Sequence, residues 1–207
     1  MEESRMKLYL MKSKSICFAS ARTYIENVCE KTEATMNVTL RNWHMPMDPE
    51  YHPEVDDPPL LNKEQASQYR MLVGSTLWAT TLGRYDILYC TNILARYNSI
   101  PREGRLKGML RVFGYLSSYK KAMNVFDIRE FTTETLDDLS HGWKELYPNA
   151  YEELPPDRVP KMKPLSMTAI YNASHVPCLV TRRSATGIVL LLNNFILLCT
   201  SKRQNTS

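Results

Sequence analysis

A chain of 207 residues, 43% apolar and 23% charged, has enough material to bury a core in one or two units, which argues against disorder along its length. Its net charge of +4 is too slight to mark a nucleic-acid binder, so the distribution of charge matters more than the total. No run approaches the roughly 18 uninterrupted apolar residues of a membrane span, and the N-terminus MEESRMKLYLMKSKS lacks the apolar centre of a secretory signal. The chain is therefore expected inside the cell, in the cytoplasm or the nucleus, with no membrane partner.

In chain order, the short apolar runs Leu8-Tyr9-Leu10 and Ile16-Cys17-Phe18 predict a small hairpin over 6–20. Tyr24, Ile25, Val28 and Cys29 recur at helical spacing between charged residues and predict an amphipathic helix over 21–36. Segment 46–62 carries Pro46, Pro53, Pro58 and Pro59 with five acids, and is expected to be an extended connector lying over a surface. Asn62-Lys-Glu-Gln65 has the form of a capping box and should open a long helix. Its apolar face would be Ala66, Tyr69, Leu72, Val73, Thr76 and Leu77, with Gly83 as its stop. A second helix follows over 86–97 through Ile87, Cys90, Ile93, Leu94 and Tyr97. Pro101 suits the first turn of a third, whose buried stripe would be Leu106, Met109, Leu110, Phe113 and Leu116. Three consecutive helices with short joints predict a compact helical unit.

From 127 to 157 nine acids face only Arg129 and Lys144, which reads as an acidic linker. Beyond Pro164 one strand is expected over 165–171, then a hairpin of 188–192 and 195–199 turning at Asn193-Asn194. Three strands with no helix on one face would leave apolar sheet surface exposed and poorly packed, and the helical unit near 62–119 should be the better protected part. The expected class is thus α+β. Its parts are a hairpin, helix and connector (1–61), a helical unit (62–121), an acidic linker (122–164) and an incomplete sheet (165–207).

Cys17, Cys29, Cys90, Cys178 and Cys199 are scattered, with no Cys-x-x-Cys pair, and read as reduced, mostly core thiols. His44, His52, His141 and His175 show no metal-ligand spacing. Three glycosylation-type triplets, beginning at Asn37, Asn172 and Asn205, read as chance matches without a secretory route.

The residue order carries a resemblance. Gln68-Tyr69-Arg70-Met71-Leu72-Val73-Gly74-Ser75, Thr81-Leu82-Gly83-Arg84-Tyr85-Asp86-Ile87, Ala95-Arg96-Tyr97, Pro101-Arg102-Glu103-Gly104 and Leu110-Arg111-Val112-Phe113-Gly114-Tyr115-Leu116 resemble copia-type retrotransposon polyproteins. In these the run lies in the reverse transcriptase thumb and connection, after the palm. Leu179-Val180-Thr181-Arg182-Arg183-Ser184, Thr186-Gly187 and Ser201-Lys202-Arg203-Gln204-Asn205-Thr206 resemble the opening of that element's ribonuclease H domain. Thr39-Leu40, Pro46-Met47 and Leu60-Leu61-Asn62 fit the same order, so the likeness covers nearly the whole chain. It implies a thumb/connection-like unit at 62–121 and a truncated ribonuclease H-like start at 165–207, with the remainder of the polyprotein as a partner.

Both chemistries of such a polyprotein need clustered carboxylates that hold paired Mg²⁺ ions. The resemblance places the polymerase carboxylates upstream of Met1. Glu54-Val-Asp56-Asp57 lacks the aromatic residue two before the pair and is followed by Pro58-Pro59, while Asp137-Asp138 has no flanking apolar strands. Both pairs read as solvated surface. For ribonuclease H, the place of the first catalytic aspartate is taken by Asn172, ahead of Ser174-His175. A neutral amide offers one oxygen where a carboxylate offers two charged ones, so no catalytic or metal-binding residue is assigned to this chain. No cofactor is expected on it, with Mg²⁺ belonging to the intact polyprotein.

Binding can survive without catalysis. Lys107, Arg111 and Tyr115 follow at four-residue spacing, with Gly104 and Gly108 alongside, so cations one turn apart could meet successive phosphates. The plain alternative is a solvated face whose glycines permit close helix crossing. A second cluster, Arg182, Arg183, Lys202 and Arg203, has no acid after Asp157 to neutralise it and could follow the backbone of an RNA–DNA hybrid. The expected function is that of a catalytically inactive segment binding template–primer backbone without sequence preference. Activity as polymerase or ribonuclease H only within a longer polyprotein, and a degenerate copy without function, stand as alternatives.

Overall fold

A computed structural model describes residues 7–10, 16–55, 57–127, 166–174 and 178–204. In chain order these form β1 (Lys7–Leu10), β2 (Ile16–Ser20), α1 (Arg22–Met36), α2 (Lys63–Thr81), a 3-10 turn (Tyr85–Ile87) and α3 (Leu88–Ala95). There follow α4 (Glu103–Ser118), β3 (Met123–Asp127), β4 (Met167–Ser174), β5 (Ala185–Leu192) and β6 (Phe195–Arg203).

Local chemistry sets the helix ends. Asn62 Oδ1 accepts from the Gln65 amide at 2.8 Å, and Gln65 Oε1 accepts from the Asn62 amide at 3.2 Å, so α2 opens on a complete capping box. Beyond α2, Gly83 turns the chain at φ 94°, and Asn124 Nδ2 donates to its carbonyl at 2.9 Å. A Cβ at Gly83 would strike the Asn124 side chain, so both the backbone angle and the space require glycine. Helix α4 starts two residues after Pro101, with Arg102 as its extended N-cap residue.

The helices close on one core. Ile25, Tyr69, Leu72, Ile87, Leu94, Met109, Phe113 and Leu116 are all at 0% exposure, so α1 shares a core with α2, α3 and α4. That core crosses the division expected at residue 61. Tyr69 satisfies its hydroxyl by donating to the Leu94 carbonyl at 2.7 Å, and Tyr24 donates to the Ser75 carbonyl at 3.0 Å. The buried line of α2 runs through Leu72, Val73, Thr76, Ala79 and Thr80, which leaves Leu77 at its margin, 39% exposed. Leu110 is likewise only partly buried, and Val112 fills the core instead.

Strands β1, β2 and β3 form an antiparallel sheet with β2 central, Phe18 standing opposite Val125. Residues 123–127, assigned from sequence to the linker, are therefore a strand that pairs the free edge of β2. The remainder of the acidic segment, 128–157, with Asp137-Asp138, lies outside the described residues, as do His141 and His175. Strands β4, β5 and β6 form a second antiparallel sheet in chain order, turning at Asn193-Asn194 with Asn193 in the left-handed region at φ 51°. Each of the three extends beyond its expected C- or N-terminal limit. Their apolar surface is open, with Met167 at 66%, Tyr171 at 67% and Leu198 at 46% exposure. The Phe126 and Phe195 rings lie 4.8 Å apart, and Asn92 Nδ2 donates to the Ser201 carbonyl at 3.0 Å, tying this sheet to β3 and α3. The architecture is mixed helix and sheet, compatible with α+β. Cys29, Cys90 and Cys178 are buried free thiols, Cys199 a half-buried one. No helix among the described residues is long and apolar enough to cross a membrane.

Candidate nucleic-acid interface

The α4 face that carries Gly104, Lys107, Gly108 and Arg111 is crossed by the proline-rich connector. Together they enclose an open cavity of about 490 Å³, with Trp43, Asp48 and Tyr51 on the far side. Arg111 is held there: its guanidinium pairs with Asp48 at 2.8 Å, its Nε donates to the Met45 carbonyl at 3.3 Å, and its plane lies 4.2 Å from the Trp43 ring centre. The hydrogen bond from Arg111 in turn holds the Asp48 carboxyl below its usual range. Glycines on this helix admit the connector. A Cβ at Gly108 would lie 3.1 Å from the Tyr51 ring, and one at Gly114 would strike the Arg41 carbonyl and Trp43.

Tyr115, grouped by spacing with Lys107 and Arg111, turns instead toward the loop after α2. There Arg84, only 4% exposed, pairs with Asp86 at 2.7 Å and lies 6.0 Å from the Tyr115 ring centre. Burial, then the negative charge and hydrogen bond of Asp86, pushes the Tyr115 phenol up to about 12, so it is a neutral donor. The expected stripe is thus not one continuous exposed surface. Lys107 is its exposed member and forms no ion pair with the described residues.

Two further arginines, Arg105 of α4 and its N-cap residue Arg102, went unassigned in the sequence. Arg105 is 7% exposed, donates to the Pro53 carbonyl at 3.1 and 3.2 Å and to the Ile100 carbonyl at 2.9 Å, and stacks 3.9 Å from the Tyr97 ring centre. Arg102 donates to the Pro58 carbonyl at 2.8 Å. The readable signal was that Arg105 falls on the apolar stripe, one and two turns before Met109 and Val112. A cation in that place needs acceptors, and the connector supplies them.

The C-terminal cluster divides. Lys202 and Arg203 are successive residues of β6 and so point to opposite faces. Arg203 and Arg183 line a narrow cavity of about 20 Å³, together with Arg96 from the end of α3 and Glu54 from the connector. Lys202 and Arg182 are exposed and lie outside it, Arg182 in the left-handed region at φ 51° with its amide donating to the Cys178 carbonyl at 2.8 Å. Glu54 Oε1 accepts from the Leu179 amide at 3.0 Å and lies 3.1 Å from His52 Nδ1. Burial raises its carboxyl, and these hydrogen bonds more than reverse that, leaving it below its usual range. Cys178 also lines the cavity, and its sulfur accepts from the Thr181 amide at 3.4 Å. Burial opposes its thiolate, but hydrogen bonds from Thr181 and Val180 outweigh burial and lower the pKa.

Asn172 lies exposed on β4, paired with Gly187 on β5, which pairs in turn with Ser201 on β6. A neutral amide flanked by glycine and serine is a poor donor set for a hard divalent cation, so the residues present do not fit a Mg²⁺ pair. Among the described residues no three His, Cys, Asp or Glu side chains gather as a metal site. Comparison with protein-family models, curated proteins and solved structures finds no match to this chain.

Proposed function

We propose that this chain is a non-catalytic segment of a copia-type reverse transcriptase and ribonuclease H polyprotein, binding the backbone of an RNA–DNA hybrid without reading its sequence. One observation carries the reading: Arg182 and Arg183 before β5 and Lys202 and Arg203 of β6 have no ion pair among the described residues, and no acid follows Asp157 in the sequence to neutralise them. Asp48, Glu54 and Asp86 are taken up by Arg111, by His52 with the Leu179 amide, and by Arg84. Lys107, Arg182, Arg183, Lys202 and Arg203 form no ion pair among the described residues. Cations left without internal partners favour polyanions, and phosphate contacts carry no sequence information. Asn172 in place of a metal-binding aspartate supports the absence of catalysis.

Fluorescence anisotropy of the full chain with labelled hybrid duplexes tests this. Affinity should be the same for unrelated sequences, and log K should fall linearly with log salt, by about 0.9 for each phosphate neutralised. Flat salt dependence, or no binding at low salt, would remove the binding function. Cleavage of the hybrid's RNA strand on adding Mg²⁺ would remove its non-catalytic character.

A further inference from the structure

Within that nucleic-acid reading, on which this step rests, we propose that Arg96, Arg183 and Arg203 form a single oxyanion site that takes one non-bridging phosphate oxygen of the hybrid backbone. The three come from separate stretches: the end of α3, the turn before β5, and the last residue of β6. The hydrogen bond from Asn92 to the Ser201 carbonyl, 3.0 Å, fixes α3 against β6 and so brings Arg96 to Arg203. None of the three guanidiniums has an ion pair among the described residues. Partial burial, and then the nearby charge of Arg203, make Arg96 easier to deprotonate than a free arginine. Glu54 is the one carboxylate among the described residues that lines the cavity, and its Oε1 is already committed to Leu179 and His52.

Size selects the ligand. A cavity of about 20 Å³ holds one water-sized atom. A base or a sugar is too large, whereas one phosphate oxygen can enter while the rest of the diester stays outside. Arginine forks suit that oxygen because they donate several N–H groups in a fixed plane. Glu54 then acts as an internal competitor for the same cations.

The test titrates the full chain and its R96Q, R183Q, R203Q, R182Q, K202Q and E54Q variants into a labelled hybrid duplex. Each of the first three should weaken binding about tenfold and reduce the salt slope by about one, with R182Q and K202Q changing it less than about threefold. E54Q should tighten binding several-fold. Equal losses at all five cations, or none at Arg96, would show diffuse surface charge and overturn the site while leaving hybrid binding intact. R203K keeps the charge but not the fork and should regain only part of what R203Q loses; a fall in the urea unfolding midpoint of R203Q that matches its loss of binding would trace that loss to packing and also overturn the site.

A second readout separates the two readings. Iodoacetamide modification of Cys178, followed by mass spectrometry, should slow when inorganic phosphate or hybrid is added to the wild type and should not respond in R203Q. Protection by phosphate without hybrid binding would keep the oxyanion site and remove nucleic acid as its source. Hybrid binding without protection of Cys178 overturns the site alone, and neither binding nor protection overturns both.

Discussion

The four helices and the β4–β6 sheet bury apolar surface in different ways. Tyr69, Leu72, Phe113 and Leu116 vanish completely from solvent, whereas Tyr171, Leu197 and Leu198 keep between 46% and 67% of their surface exposed. A helix has one apolar stripe, and four stripes can close on each other. A three-stranded sheet has two faces and here meets α3 and β3 mainly along its edge strand β6, so the helices hold themselves together and the sheet leans on them.

The largest expected effect tests that difference directly. Phe113→Ala removes a fully buried ring and should cost about 3 to 5 kcal/mol in urea unfolding, while Leu198→Ala should cost no more than about 0.5. Comparable losses would show that the sheet is as tightly built as the helices. Next comes Arg105→Ala, which strips the Pro53 and Ile100 carbonyls of their donor and the Tyr97 ring of its cation. A loss of about 2 to 3 kcal/mol is expected, with faster proteolysis over 45–58, because buried acceptors are left unmet. Unchanged cleavage there would mean the connector is held by other contacts.

The smallest effect belongs to the contact between connector and sheet. The Glu54 carboxyl sits below its usual 4.5, so it stabilises the fold in full above that pH and the contribution is lost as pH falls through the lower folded value. E54Q should therefore flatten the acid limb of the stability curve below 4.5. An unaltered limb would mean that the Leu179 and His52 contacts contribute nothing to holding the sheet against the connector.

What the sequence revealed was local. The capping box at Asn62, the stop at Gly83 and the turn at Asn193-Asn194 depend on neighbours within a few residues, and each is where its chemistry places it. Non-local choices were hidden. Nothing near Arg111 announces Asp48, 63 positions away, and nothing in 123–127 names β2 as its partner. Tyr115 shares its spacing with Lys107 and Arg111, but burial beside Asp86 decides its role. The cavity lined by Arg183 and Arg203 needed Arg96 from a helix that the residue pattern treated as core alone.

The way α4 grips the connector has a consequence for which substitutions the chain will bear. Arg102, Arg105 and Arg111 reach the carbonyls of Pro58, Pro53 and Met45, and a carbonyl is the same atom pair whatever residue bears it. Met45, Pro53 and Pro58, gripped through their carbonyls, can therefore change identity wherever the replacement keeps the backbone path, whereas Asp48 and Trp43 meet Arg111 through their side chains. The gripping ones cannot, because lysine lacks the planar fork that spans two acceptors. Tolerance to change is thus unequal on the two sides of a single contact, wide at the carbonyl-held positions 45, 53 and 58 and narrow along the helix beneath them.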